Sequence, residues 1–139
     1  TSNNSDKGAA YIGLTEYALM SWTAGKTVSE RMTTFEKYPQ KALQIAEKTP
    51  IREPALKICA LFLSASTKTS TLSIPYYKQF LKEYPQSKHA EEMLLRLGIV
   101  YVQEEDYTNA NKILEQLKNK ELIDIMRQTI KFKTKGVLQ

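Results

Sequence analysis

The chain has 139 residues, 42% of them hydrophobic and 25% charged, with 20 basic against 15 acidic side chains and a net charge of +5. That length makes one domain or a short repeat array, and no stretch approaches the roughly 20 apolar residues that a membrane-spanning helix needs. Cys59 is the one cysteine and His89 the one histidine, which excludes an intrachain disulfide framework and a multi-histidine metal site.

The opening residues 1–8 are small and polar, and with no apolar groups to pack they read as a flexible leader. The start at Thr1 rather than Met reads as a processed product or an excised piece. Beyond the leader the hydrophobic period is helical almost throughout. Ala10, Leu14, Tyr17, Ala18 and Ser21 share one face of a first helix that Gly25 breaks, and Trp22 packs near that turn. The motif Thr27-Val28-Ser29-Glu30 is a capping box, in which the Thr27 hydroxyl caps the amide of residue 30. A second helix then carries Val28, Met32 and Phe35. Pro39 must end or kink it near Tyr38, because proline disfavours α geometry in the residue before it. Ala42, Leu43, Ile45 and Ala46 continue helically.

Glu53-Pro54 opens the next helix, with apolar positions Ala55, Ile58, Cys59, Phe62 and Ala65. Residues 66–71 read as a polar loop. Tyr76, Tyr77, Phe80, Leu81 and Tyr84 form an aromatic-rich helix that stops at Pro85, and core packing is favoured for this stripe over a ligand platform. Ser87 is the expected N-cap of a helix carrying Ala90, Met93, Leu94, Leu97, Val100 and Tyr101. The acidic turn 104–106 lacks the oxygen spacing of a calcium loop, and its Asp106 caps a helix with Ala110, Ile113, Leu114 and Leu117. A last amphipathic helix holds Leu122, Ile123, Met126, Ile130 and Phe132, and residues 136–139 read as a tail. No strand with sustained period-2 alternation is visible, so the expected fold is all-α.

Offset by 35 residues, Pro50 falls on Pro85, and Ala55, Ile58, Cys59, Phe62 and Ala65 fall on Ala90, Met93, Leu94, Leu97 and Val100. A period of that size marks arrays of helix–turn–helix units. The segment 74–120 then carries Tyr77-x-x-Phe80-Leu81-x-x-Tyr84-Pro85-x-Ser87-x-x-Ala90, Leu97-Gly98-x-x-Tyr101 and Asp106-Tyr107-x-x-Ala110. It resembles tetratricopeptide (TPR) repeats and is most similar to those of bacterial cell-envelope proteins, the outer-membrane assembly lipoproteins and Tol–Pal coordinator proteins. The resemblance implies an α-solenoid of about three antiparallel hairpins, with approximate repeats 9–49, 50–84 and 85–119 and a capping helix 120–134, in a single domain 9–139. It also implies close approach of two helices at Gly98 and Ala110, with Tyr101 filling the space between them. Leu94 and Leu122 depart from the family, which often has Trp and Pro there, and residues 1–50 match only as generic helical hairpins.

Catalysis needs convergent polar groups. Cys59 and His89 are the only thiol and imidazole; the repeat offset puts Cys59 at a core position, where free cysteine is commonly found, and His89 reads as a surface or capping residue. His89-x-x-Glu92 has no further ligand to complete a zinc site, and no Gly-rich phosphate loop is present. The expectation is therefore no enzyme, no metal and no cofactor. Solenoids usually work by recognising proteins or peptides on the concave surface. The resemblance puts Lys57, Ala60, Ser64, Thr67 and Lys68 on that surface in one repeat, and Glu92, Leu95, Ile99, Val102 and Gln103 in the next. Glu92 and Leu95 replace two positions of the carboxylate clamp used by chaperone-binding members, so an extended segment or amphipathic helix on Leu95, Ile99 and Val102 fits better. The expected partner is a protein or peptide, in a periplasmic or cell-envelope setting. Homo-oligomerisation through Ile123, Met126 and Ile130 is the alternative. Nucleic-acid binding by the basic C-terminal stretch, Lys112, Lys118, Lys120, Arg127, Lys131, Lys133 and Lys135, is less favoured, because Glu115, Glu121 and Asp124 interrupt its first half.

Overall fold

The computed structural model describes residues 2–20 and 27–138, and within them the chain is all helical. The elements are α1 (Ser2–Met20), α2 (Val28–Lys37), α3 (Pro39–Ile45), α4 (Arg52–Ser64), a 3₁₀ turn (Ser70–Ser73), α5 (Ile74–Glu83), α6 (Ala90–Gln103), α7 (Tyr107–Gln116) and α8 (Lys120–Leu138). They fall into two compact units, Thr1–Phe80 and Leu81–Gln139. The division lies four residues before the expected repeat boundary at 84/85. The expectations for Ser21, Trp22 and Gly25 fall outside the described residues.

In unit 1, local chemistry sets the helix ends. The Thr27 hydroxyl accepts the Glu30 amide at 3.1 Å and donates to Glu30 Oε1 at 3.0 Å, which fixes the start of α2. Pro39 takes the first position of α3, so the chain bends at Tyr38, whose backbone is non-helical. The Ser2–Gly8 stretch is a correction to the leader reading: it forms the first turns of α1. Within it the bare Cα face of Gly8 meets Ile51 and the Ala42 carbonyl, a space that any side chain would fill. α1 then packs on α3 and α4 through Tyr11 and Ile12, against buried Ala42, Ala46 and Ala55.

α4 is the centre of unit 1 and meets α1, α2, α3 and the 3₁₀ turn. Ala55, Leu56, Ile58, Cys59, Ala60, Phe62 and Leu63 are all buried. Phe35 stacks on Phe62 with ring centroids 6.3 Å apart and meets Tyr76 edge-on at 5.6 Å. The Cys59 thiol donates to the Pro39 carbonyl at 3.2 Å, and burial pushes its pKa up to about 12. It is a packed core thiol.

The region 66–71, expected to be a polar loop, is instead partly a buried tie. Thr69, Ser70 and Ser73 are buried. The Thr69 hydroxyl donates to Leu63 O at 2.6 Å and accepts from Arg31 Nε at 3.3 Å. Arg31, 6% exposed, also donates from Nη2 to Phe62 O and lies 4.6 Å over the Phe62 ring. A helix C-terminus carries unpaired carbonyls and partial negative charge. Arg31 supplies a donor and the positive charge at the end of α4, while burial lowers its pKa from the ordinary arginine value.

Unit 2 is built on α6, which packs on α7 and α8. Gly98 is its contact point: a Cβ there would sit 2.8 Å from Ile113 Cγ2 and 2.8 Å from Met126 Cε. Both neighbours close on the helix only because that position is bare. Ala110 is fully buried and Tyr101 nearly so. α6 ends with Glu105 at φ +60°. The Glu105 amide donates to Val102 O at 3.0 Å and the Asp106 amide to Tyr101 O at 2.8 Å, a Schellman closure in which glycine is the usual left-handed residue. Asp106 then caps α7 through the Asn109 amide at 3.2 Å, as expected from the sequence.

Ser87 does not cap α6. Its hydroxyl accepts the His89 amide at 3.0 Å in the turn before the helix, and His89 takes the cap position without a side-chain bond. The α7–α8 connection is held by Glu91, whose Oε1 accepts the amides of Lys118 and Asn119 at 2.6 and 2.5 Å. Those donors hold the Glu91 carboxyl below its ordinary range. Asn119 Oδ1 in turn accepts the Glu121 and Leu122 amides and starts α8.

Candidate interaction surface

The ten residues expected on a concave surface divide sharply by exposure. Ala60, Leu95 and Val102 are 0%, 6% and 1% exposed, so each is packed mainly in the core. The reason is common to them. α4 and α6 are the central helices of their units, packed on several sides and therefore apolar around much of their circumference. A face assignment borrowed from a two-sided helix fails on such a helix. Ser64 is half-buried, with its hydroxyl 2.7 Å from the Tyr77 hydroxyl. Glu92 is exposed and pairs with Arg96 at 3.2 Å one turn on. Lys68 is exposed, Lys57 half-exposed, Ile99 half-buried and Gln103 exposed.

Ile99, Val102 and Gln103 nevertheless come together. With Gln128, Thr129, Phe132 and Lys133 of α8 they line an open groove of about 350 Å³ in unit 2. Phe132 forms one wall and is 84% exposed, the most exposed large apolar side chain among the described residues. It stands at the end of the apolar set expected on the last helix. It lies instead on the side of α8 turned away from Met126, which is fully buried against Gly98. Its position follows from helical spacing: Ile125, Gln128, Thr129 and Phe132 share a face, and Ile125 and Phe132 are both exposed. The signal that could have found it was already in the sequence. A phenylalanine between Lys131 and Lys133 is out of phase with Leu122, Met126 and Ile130.

Ile123 and Ile130 are half-buried on the Met126 side, so the apolar set of α8 covers α6 within unit 2. Lys57 belongs to a second groove, in unit 1, of about 440 Å³ between α1 and α4. Its lining is Ile12, Leu19, Met20, Pro54, Ile58 and Leu61, with Glu16 and Lys57 as its charged residues. Its α1 rim ends at Met20, where the described residues stop. A third hollow, beside Glu91 and Lys118, lies against the α7–α8 connection. No cluster of three or more His, Cys, Asp or Glu side chains suited to a metal occurs among the described residues, and no helix there is long and apolar enough to cross a membrane.

The structure thus defines an all-α protein with an apolar groove on its second unit. Comparison with known protein families, with curated proteins and with solved structures finds no match for the chain.

Proposed function

We propose that this chain is a non-enzymatic interaction scaffold of TPR-like type that binds a peptide or partner protein in the α6–α8 groove of unit 2. The observation that carries this reading is Phe132. A phenylalanine that is 84% exposed beside an apolar groove leaves a large apolar surface in water, and such anchors are where binding energy concentrates in interfaces. The TPR-like architecture is supported by the close approach at Gly98 and by buried Ala110 and Tyr101. The cell-envelope setting rests on the sequence resemblance alone.

The test is affinity capture with the full chain and with Phe132→Ala, each checked by thermal melting. The reading expects a stoichiometric protein captured by the wild type and lost in the variant, at unchanged Tm. Equal capture by both would overturn the groove as the site.

A second reading, self-association, draws on α1. Leu14, Tyr17 and Met20 are exposed there beside the α1–α4 groove. A dimer seen in concentration-dependent sedimentation, and lost in Tyr17→Glu, would favour it.

A further inference from the structure

We infer that the occupant of the α6–α8 groove is an acidic segment of another protein carrying one bulky apolar side chain. This inference rests on the interaction reading above and adds the chemistry of the partner.

The groove has an apolar floor and wall, Ile99, Val102 and Phe132, sized for a side chain or two. Its rim is basic. Arg127, Lys131 and Lys135 follow one another at i, i+4 and i+8, so they form a single ridge along α8. At 1.5 Å per residue that ridge runs about 12 Å, the reach of three acidic side chains spaced a helical turn apart. Phe132 stands between this ridge and the groove, and Lys133 lines the groove itself. Arg127, Lys131 and Lys135 are exposed. Among the described residues none of these four cations is ion-paired. No carboxylate occurs in α8 between 125 and 135. The nearest acids are Glu121 and Asp124 at the start of α8, and Glu104 and Glu105 just past Gln103 on the α6 side. An acidic segment would therefore lie with its charges toward the α8 ridge and its apolar anchor toward Ile99 and Val102. That is the arrangement that electrostatic complementarity favours.

The lining also argues against the two other polyanions. Gln103, Gln128 and Thr129 present hydrogen-bonding groups at the groove edge, which a peptide backbone can use and a lipid tail cannot. Single-stranded nucleic acid binds on successive stacking aromatics, and the groove has one aromatic side chain and an aliphatic floor.

The experiment is selection from a phage-displayed random dodecapeptide library on the full chain, with Phe132→Ala selected in parallel. The enriched peptide is then measured by fluorescence anisotropy against the wild type, Phe132→Ala and the charge reversal Lys131→Glu/Lys135→Glu. Vesicles rich in phosphatidylserine and a 20-residue oligothymidylate serve as the competing probes. The inference expects an enriched consensus with several Asp or Glu around one aromatic or large aliphatic residue. It expects at least tenfold weaker binding by Phe132→Ala, about tenfold or greater loss in the charge reversal, and weakening with added salt. Enrichment of neutral or basic peptides that still require Phe132 would overturn the acidic partner and leave the groove reading standing. No enrichment over Phe132→Ala would overturn both. Tighter binding of vesicles or oligonucleotide than of the selected peptide would overturn the acidic segment as the occupant.

Discussion

The two units close their cores by different means. In unit 1 the long-range tie is polar: Arg31 reaches residues 31 and 38 positions away, donating to the Phe62 carbonyl and the Thr69 hydroxyl while its guanidinium covers the Phe62 ring. In unit 2 the tie is apolar and depends on an absence of atoms, the bare Gly98 against which Ile113 and Met126 pack. A polar tie is directional and fails when one partner is removed. An apolar contact at a glycine fails when something is added. The difference also bears on function, because unit 2 packs the Met126 side of α8 and leaves Phe132 in water.

The sharpest way to break that comparison is at Arg31. Arg31→Ala leaves Phe62 O with only the long Ala65 amide bond and removes the donor to the Thr69 hydroxyl, and is expected to cost about 3 kcal/mol in chemical denaturation. Hydrogen exchange should place the loosening in α2, α4 and the 3₁₀ turn; equal loosening of α6–α8 would contradict a tie internal to unit 1.

Gly98→Ala is the counterpart in unit 2. Overpacking of about 1–3 kcal/mol is set against about 1 kcal/mol gained by removing glycine from a helix. The expected net loss is about 1 kcal/mol, carried by α6, α7 and α8. A gain in stability would show that Ile113 and Met126 yield freely. Smaller still is Glu105→Gly, which relieves a left-handed residue at φ +60°. The relief of about 1–2 kcal/mol is offset by glycine's entropy, for a net gain of about 0.5 kcal/mol. A measurable loss would mean that the Glu105 side chain contributes more than its backbone strain costs.

The pH dependence should divide along the same line. Amides of Asn119 and Lys118 depress the Glu91 carboxyl, and the side chain and amide of Asn109 depress Asp106. A depressed acid stabilises the fold above its unfolded pKa and loses that contribution as pH falls through the folded value. Unit 2 should therefore loosen on acidification below the ordinary carboxylate range, and Glu91→Gln with Asp106→Asn should flatten that limb. Cys59 behaves oppositely. Its thiol is raised from 9.0 to about 12, so its contribution is intact below pH 9 and lost as pH climbs toward 12, in unit 1. Stability curves followed by site-resolved exchange check both limbs.

Much of the fold was legible wherever the signal was local. Thr27, Pro39 and Asp106 mark helix ends by chemistry confined to three or four residues, and the close packing at Gly98 was what the repeat resemblance implied. What escaped the sequence was set by distant partners. Gly8 packs against Ile51, 43 residues away, and Thr69 is bonded to a cation 38 residues earlier. The site was half legible for the same reason. Ile99, Val102 and Gln103, which the repeat resemblance put on one surface, line the unit 2 groove together. Leu95 and Ala60 are buried because a central helix packs several of its faces, and the exposure of Phe132 follows from a phase that sets it apart from Met126 and Ile130.

The most direct test of the account follows amide shifts of the isotopically labelled full chain as the selected acidic dodecapeptide is titrated in. The account predicts saturable shifts centred on Ile99, Val102, Gln103, Gln128 and Phe132, abolished in Phe132→Ala. Shifts centred instead on Ile12, Leu19, Met20 and Leu61 would contradict it and move the binding surface to unit 1.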